Sequence, residues 1–213
     1  TERTNEIGQM ARALETFRRN IISRKAAEKE ILAMVMTDPL TGLENRKRFE
    51  ERLAEAIKLA QRTNSIVACM MIDLDKCKPV NDTFGHAAGD EVLKAVGKRL
   101  KVISRDTDFV ARLGGDEFAL IATVLKEPSD AVLPARRVLD QLNLPIYYGN
   151  NDIQIGSSIG ISLFPNDANN ADDLVKLADQ ALYAAKDAGR NTFRFAQDKS
   201  SKAKTHYSIV RSQ

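Results

Sequence analysis

Four clusters of residues have the types and spacing to do chemistry. The first is Asp73-Leu74-Asp75-Lys76-Cys77-Lys78, directly after the apolar run 66–72. A carboxylate placed there either caps a strand end or holds a hard cation. Magnesium takes oxygen ligands and shares its shell with water and substrate phosphates; Lys78 could neutralise phosphate charge nearby. The second cluster is Gly114-Gly115-Asp116-Glu117-Phe118. Two glycines make a tight turn and let a ligand approach the backbone. Asp116 would project from that turn toward Asp73 of a neighbouring strand, and two such carboxylates repel unless a cation lies between them. The plainer alternative is a solvated acidic turn.

The third cluster is Asn81-Asp82, Gly85-His86 and Gly89-Asp90. An amide that both donates and accepts, beside a carboxylate, can read a purine edge, and a carboxylate suits the N–H donors of guanine better than adenine. The alternative is capping, with Asp90 in the first turn of a helix. The fourth is Lys186 and Arg190. A spacing of four puts two cations on one helical face if the last turn persists. A triphosphate between them would relieve their repulsion, and the forked donors of Arg suit phosphate. Compensation of the helix dipole explains them as well.

These clusters need elements to position them. Apolar Ile7, Met10, Leu14, Phe17 and Ile21 follow an a/d stripe, interrupted at Arg24 and Glu28 and resumed at Ile31 and Val35. This pattern predicts a long amphipathic helix, either packed on its own domain or paired as a parallel coiled coil. Pro39 and Gly42 end it. The pattern then predicts helices at 46–62, within 83–104, at 129–142 and at 171–188, the last closed by Gly189. Strands are expected at 66–74, 106–112, 117–124, 153–164 and 192–196. The two flanking the glycine pair form a hairpin, so the sheet is mixed rather than purely parallel. The fold class is α+β: a central mixed sheet surrounded by helices.

With 32 Lys+Arg against 29 Asp+Glu, the net charge of +3 gives no case for nucleic acid. The longest apolar run is far shorter than the ~20 residues of a membrane span. Cys69 and Cys77 fit no disulfide framework and no zinc spacing, and read as small buried or half-buried thiols.

The ordered motifs closely resemble the GGDEF domain of bacterial diguanylate cyclases. The signature is intact at 114–118 and follows Arg112-Leu113. Around it stand Asp38-Pro39-Leu40-Thr41-Gly42-Leu43-Glu44-Asn45-Arg46, Asp73-Leu74-Asp75 with Lys78, Asn81-Asp82, Gly85-His86, Gly89-Asp90, Ser158-Ile159-Gly160 and residues 181–191. One departure is Cys77, where the family usually has Phe. The resemblance implies a palm-like fold and a reaction that turns two GTP into cyclic di-(3′→5′)-GMP and two pyrophosphates. It implies two divalent ions per active site, Mg2+ or Mn2+, held by Asp73, the Leu74 carbonyl, Asp116 and Glu117. Asp116 would also accept a proton, with Glu117 beside it, and Lys78 would stabilise transition-state charge. Asn81, His86 and Asp90 would hold guanosine, with Gly115 allowing close approach. Lys186 and Arg190 would grip the β- and γ-phosphates, aided by backbone amides near Lys76 and Cys77.

Arg105-Asp106-Thr107-Asp108 matches the family's R-x-x-D inhibitory site for bound product, with Arg105 and Asp108 as contacts and Arg136 or Arg137 completing it. Residues 5–14 resemble the start of the second helix of a HAMP signalling domain. The implied layout is a signalling helix over 1–36, a cyclase domain over 37–197 and a polar tail over 198–213. It would be a homodimer through the helix, the cytoplasmic part of an inner-membrane protein. Rival readings are a silent module that senses GTP or cyclic di-GMP, a cyclase of altered product, and a regulator of an attached phosphodiesterase. Asp90 disfavours the altered product.

Overall fold

The computed structural model describes residues 36–199 and, before them, helical positions Glu15, Phe17–Arg19, Ile21 and Arg24. The rest of the expected heptad stripe, the HAMP-like segment 5–14 and the tail beyond 199 lie outside the described residues. Phe17 and Ile21, one helical turn apart, are 64% and 40% exposed.

Strands β1 (Glu44–Asn45), β2 (Ile66–Asp75), β3 (Phe109–Gly114), β4 (Glu117–Leu125), β7 (Gly156–Phe164) and β8 (Phe193–Phe195) form one sheet in the order β1-β3-β4-β2-β7-β8. The outer pairs β1/β3 and β7/β8 are parallel and the inner pairs antiparallel. β5 (Ile146–Tyr148) and β6 (Asn151–Ile153) make a separate hairpin. The helices are α1 (Arg46–Thr63), α2 (Cys77–Phe84), α3 (His86–Ile103), α4 (Val132–Leu142) and α5 (Ala171–Asp187).

The sheet is covered on both faces, and the period of two in β2 sorts its side chains between them. Ala68, Met70, Ile72 and Leu74 join the core with Val92, Val96 and Leu100 of α3 and Val138 of α4. Val67, Cys69 and Met71 join the other core with Phe49 and Leu53 of α1 and Leu174 and Ala178 of α5. Burial on both faces explains why 66–72 reads as a continuous apolar run. α1 starts at Asn45, whose side chain accepts from the Arg48 amide, and ends at left-handed Asn64. α5 starts at Asn170, which accepts from the Asp173 amide. At Gly160 the sheet and α5 touch directly: a Cβ there would collide with Ala178 O and Leu182 N.

Four expectations need correction. The chain enters a helix at Cys77, before the expected turn; Pro79 is its third residue, where no helical partner for its N–H is required. The single strand 153–164 divides into β6 and β7, and β5 pairs β6 across the Gly149-Asn150 turn, which bears a positive φ of 59° at Gly149. Residues 106–108 are not strand: the Asp108 carboxylate accepts from the Arg105 amide at 3.1 Å and closes a turn before β3. The stretch 129–142 opens with a short 3-10 turn, Pro128–Ala131, before α4.

Candidate functional site

Asp73 and Asp75 share the β2 face that looks to α5, because alternate residues of a strand share a face. Opposite Asp73 in the register lie Glu117 of β4 and Ser158 of β7. The Gly114–Asp116 turn therefore sits beside the C-terminal end of β2, and the Leu74 amide donates to the Asp116 carbonyl at 3.2 Å. Gly114 and Gly115 have φ of 143° and 54°, which glycine adopts without strain. The expected meeting of Asp73 with the signature turn is thus built by strand register.

Lys186, in the last turn of α5, places Nζ 2.8 Å from Asp73 Oδ2. Arg190 is not on the same helical face. α5 ends at Asp187, and Arg190 and Asn191 form a left-handed corner with φ of 63° and 46°. That corner still brings Arg190 to the carboxylates, with Nε 4.0 Å from Asp75 Oδ1. Both cations therefore converge on the end of β2, by a route different from helical spacing. Burial raises the Asp73 carboxyl above its ordinary range, Lys186 pulls it down, and Asp116 and Asp75 add to the rise. Burial, then the same acidic neighbours, pushes the Cys77 thiol up to about 12. Cys77 is thus a protonated packing residue against the core, and Cys69 is buried likewise.

The carboxylates do not close into a cage. Glu117 pairs with Arg46 at 3.3 Å, both side chains half exposed. Among the described residues no group of three or more His, Cys, Asp or Glu side chains is arranged to hold a metal. The donor set is sparse: Asp73, whose ionisation the Asp116 charge disfavours, Asp116 itself, and the nearby Leu74 backbone. Such a set suits magnesium, which dehydrates reluctantly and completes its shell with water and phosphate.

α2 begins at Lys76, which is left-handed with φ of 67° and gives no side-chain cap. The first amides of the helix near Cys77 and exposed Lys78 are open to an anion. Gly85 turns the chain into α3, with His86 first and Asp90 beyond the first turn, so Asp90 is not a capping residue. Asn81 packs on Gly89: a Cβ at 89 would collide with Asn81 Oδ1. This close approach joins α2 to α3 at the residue before Asp90.

A residue to which no role had been given proves central to the turn. Arg112, in β3, donates from Nη1 to both oxygens of Asp38 at 3.1 Å and from Nη2 and Nε to the Gly115 carbonyl at 2.8 and 3.1 Å. Asp38 also accepts from the Thr41 amide and hydroxyl at 2.9 and 2.6 Å. The signature turn is thereby clamped to the loop that precedes β1. No local pattern signals this clamp, since Asp38 and Arg112 are 74 positions apart.

At the other end of β4, a cavity of about 330 Å³ is lined by Arg105, Asp108, Leu120, Val124 and Arg137. Arg105 and Asp108 thus share a concavity. Of the two arginines left open by the sequence, Arg137 lines it.

The model of the family described as "Diguanylate cyclase, GGDEF domain" matches residues 35–192. The chain is 39% identical over 169 residues to the bifunctional diguanylate cyclase/cyclic di-GMP phosphodiesterase MucR of Pseudomonas aeruginosa, covering 79% of this chain and 24% of MucR. It is 38% identical over 161 residues to the diguanylate cyclase TpbB of the same species, covering 75% of this chain and 37% of TpbB. The chain thus spans well under half of these relatives. The crystal structure of the TpbB GGDEF domain superposes with a TM-score of 0.72 at 38% identity, covering 74% of this chain and 98% of that one. The coiled coil and GGDEF domain of DgcB from Caulobacter crescentus, in complex with c-di-GMP, superposes at 0.76 with 27% identity, covering 87% and 97%. With the signature turn at the end of β2 and the family match across most of its length, this chain belongs to the GGDEF domain family of diguanylate cyclases.

Proposed function

We propose that this domain condenses two GTP into cyclic di-(3′→5′)-GMP and two pyrophosphates. The observation that carries this reading is the convergence of Asp73, the Asp116 turn, Lys186 and Arg190 on one sheet end. The 3′-hydroxyl oxygen of one GTP attacks the α-phosphorus of the other, the bond to the bridging oxygen breaks, and pyrophosphate leaves. A second such step closes the ring. Asp116 accepts the hydroxyl proton, with Glu117 beside it. Lys78 and the open amides at the start of α2 stabilise phosphate charge. Lys186 and Arg190 hold the β- and γ-phosphates, and Asn81, His86 and Asp90 hold guanosine, with Gly115 giving the substrate room. Asp73, the Leu74 carbonyl and Asp116, with Glu117 further out, would hold Mg2+ or Mn2+. When bound there, the metal would neutralise triphosphate charge and make the hydroxyl a better nucleophile.

One sheet end holds one GTP, so the reaction needs two domains face to face. A parallel coiled coil through the N-terminal helix would supply the second at high effective concentration. Exposed Phe17 and Ile21 on one helical stripe support this, as does the DgcB likeness. The domain boundaries at 36 and 197 follow from the same reading. Among the described residues no helix is long and apolar enough to cross a membrane; placement on the cytoplasmic side of an inner membrane belongs to the proposal. The cavity of Arg105, Asp108 and Arg137 would bind product and inhibit.

A second reading has its own support. The chain is 36% identical over 169 residues to the cyclic di-GMP phosphodiesterase NbdA of Pseudomonas aeruginosa, so likeness alone leaves open a GGDEF module that only senses GTP or product. The deciding experiment is GTP turnover with magnesium at several protein concentrations, with products identified by mass spectrometry. Cyclic di-GMP rising more steeply than protein concentration is expected, and Asp116→Asn should abolish it. Bound but unconverted GTP at every concentration would establish the sensing module instead.

A further inference from the structure

The cation pair at the end of α5 depends on a residue outside the proposed machinery. Asp75 is 5% exposed and Ser158 fully buried. The Asp75 carboxylate accepts from the Ser158 hydroxyl at 2.9 Å and from the Asn191 amide at 3.0 Å, and Arg190 Nε lies 4.0 Å away. Across the register from Asp75 is Gly156. A Cβ there would come within 3.1 Å of Asp75 Oδ2 and 3.2 Å of Asn191 Oδ1, so a side chain at this position would press on the contact. Two successive non-glycine residues, Arg190 and Asn191, hold left-handed φ values that side chains disfavour. Such a corner persists where its surroundings over-determine it. Here the Asp75 carboxylate, fixed to two strands of the sheet, satisfies the Asn191 amide at the apex.

We propose that Asp75 is a positioning residue. It pins the Arg190-Asn191 corner to the sheet, so that the Arg190 guanidinium stands beside Lys186 at the β- and γ-phosphates. This rests on the reading of Arg190 as a phosphate ligand. Asp75 itself touches no substrate; its carboxylate is consumed by the corner. The consequence is selective: Asp75 governs affinity for the terminal phosphates and not for the guanosine, which α2 and α3 hold.

Isothermal titration calorimetry with magnesium tests this, using α,β-methylene-GTP, which cannot cyclise, and GMP, which lacks the two outer phosphates. Asp75→Asn keeps the shape and removes the charge. It should weaken α,β-methylene-GTP by roughly tenfold or more, as loss of a charge-assisted contact does, and leave GMP unchanged. The double variant D75N/R190A should bind α,β-methylene-GTP no worse than R190A alone. Ser158→Ala removes one of the two bonds to Asp75 and should give a smaller effect of the same selectivity; it carries the test if thermal melting shows that D75N does not fold. Equal weakening of GMP and the triphosphate analogue, or additive losses in the double variant, would overturn the positioning role while sparing the phosphate role of Arg190. An R190A variant that binds the analogue as tightly as the parent would overturn both.

Discussion

Asp38 shows how a side chain distant in sequence from the signature turn sets that turn's geometry through Arg112. Burial works against its ionisation, but the Thr41 hydroxyl and amide and the Arg112 guanidinium overcome that cost and hold its carboxyl below the ordinary 3.8. A depressed carboxylate stabilises the fold above its unfolded value, and this contribution is lost as pH falls through the lower folded value. Asp38→Asn should therefore cost about 2 kcal/mol at neutral pH, read as a lower melting temperature. The gap from the parent should close as pH falls below about 4. Melting curves between pH 7 and 2.5 measure it, and a gap constant over that range would remove the ion pair from the account. The meeting of Asp73 with the signature turn was legible at this scale; the pairing of Lys186 with Asp73 was not. The clamp through Arg112 was not, because a contact between distant positions leaves no local pattern. Arg190 reaches the end of β2 by a left-handed corner rather than on the helical face it was expected to share with Lys186, a route that helical spacing cannot describe.

At the scale of elements, strand alternation did most of the placing. It sent Asp73 and Asp75 to the α5 face and Leu74 to the opposite core. α1, β2, β4 and α5 lie where their apolar periods put them, since each buries a full stripe or both faces. α2 was hidden because Pro79 reads as a breaker until its place in the first turn is known. The β5/β6 hairpin was hidden because its strands are three residues each, too short for a period. At Gly160 under α5 the obstructing atoms are the backbone of Ala178 and Leu182 and cannot rotate away. Gly160→Ala should therefore destabilise by about 3 kcal/mol, lowering the melting temperature by roughly 10 °C for a chain of this size. It should also displace α5, and with it Lys186. A melt within a degree or two of the parent would mean that α5 rests less tightly on β7 than the geometry states.

For the whole molecule, the decisive feature is that the two candidate sites lie at opposite ends of β4. The signature turn is at Glu117, and the cavity lies against Leu120, Ala122 and Val124 and runs past Leu125. At about 3.4 Å per residue the near edge of the cavity at Leu120 is ~10 Å along the strand from Glu117, while Asp108, whose carboxylate accepts from the Thr123 amide, sits ~20 Å along it. On the proposed reading, product held by Arg105 and Asp108 would therefore not block GTP in the same domain by contact. On the same reading, inhibition would come from holding a domain away from the partner that completes its site, a coupling between two sites in the thermodynamic sense. This separation fixes what the variants should do. Arg137→Ala, like Arg105→Ala, should leave the initial rate of cyclic di-GMP formation unchanged and shift the half-inhibitory product concentration upward at least tenfold, since each loses a charge-assisted contact to phosphate or base. Arg136→Ala should leave the inhibition curve in place, because Arg136 does not line the cavity. Progress curves with and without added cyclic di-GMP read both quantities from one experiment. Should R136A relieve inhibition while R137A does not, the ligand would lie outside this cavity, and the coupling would have to run through a different face of α4.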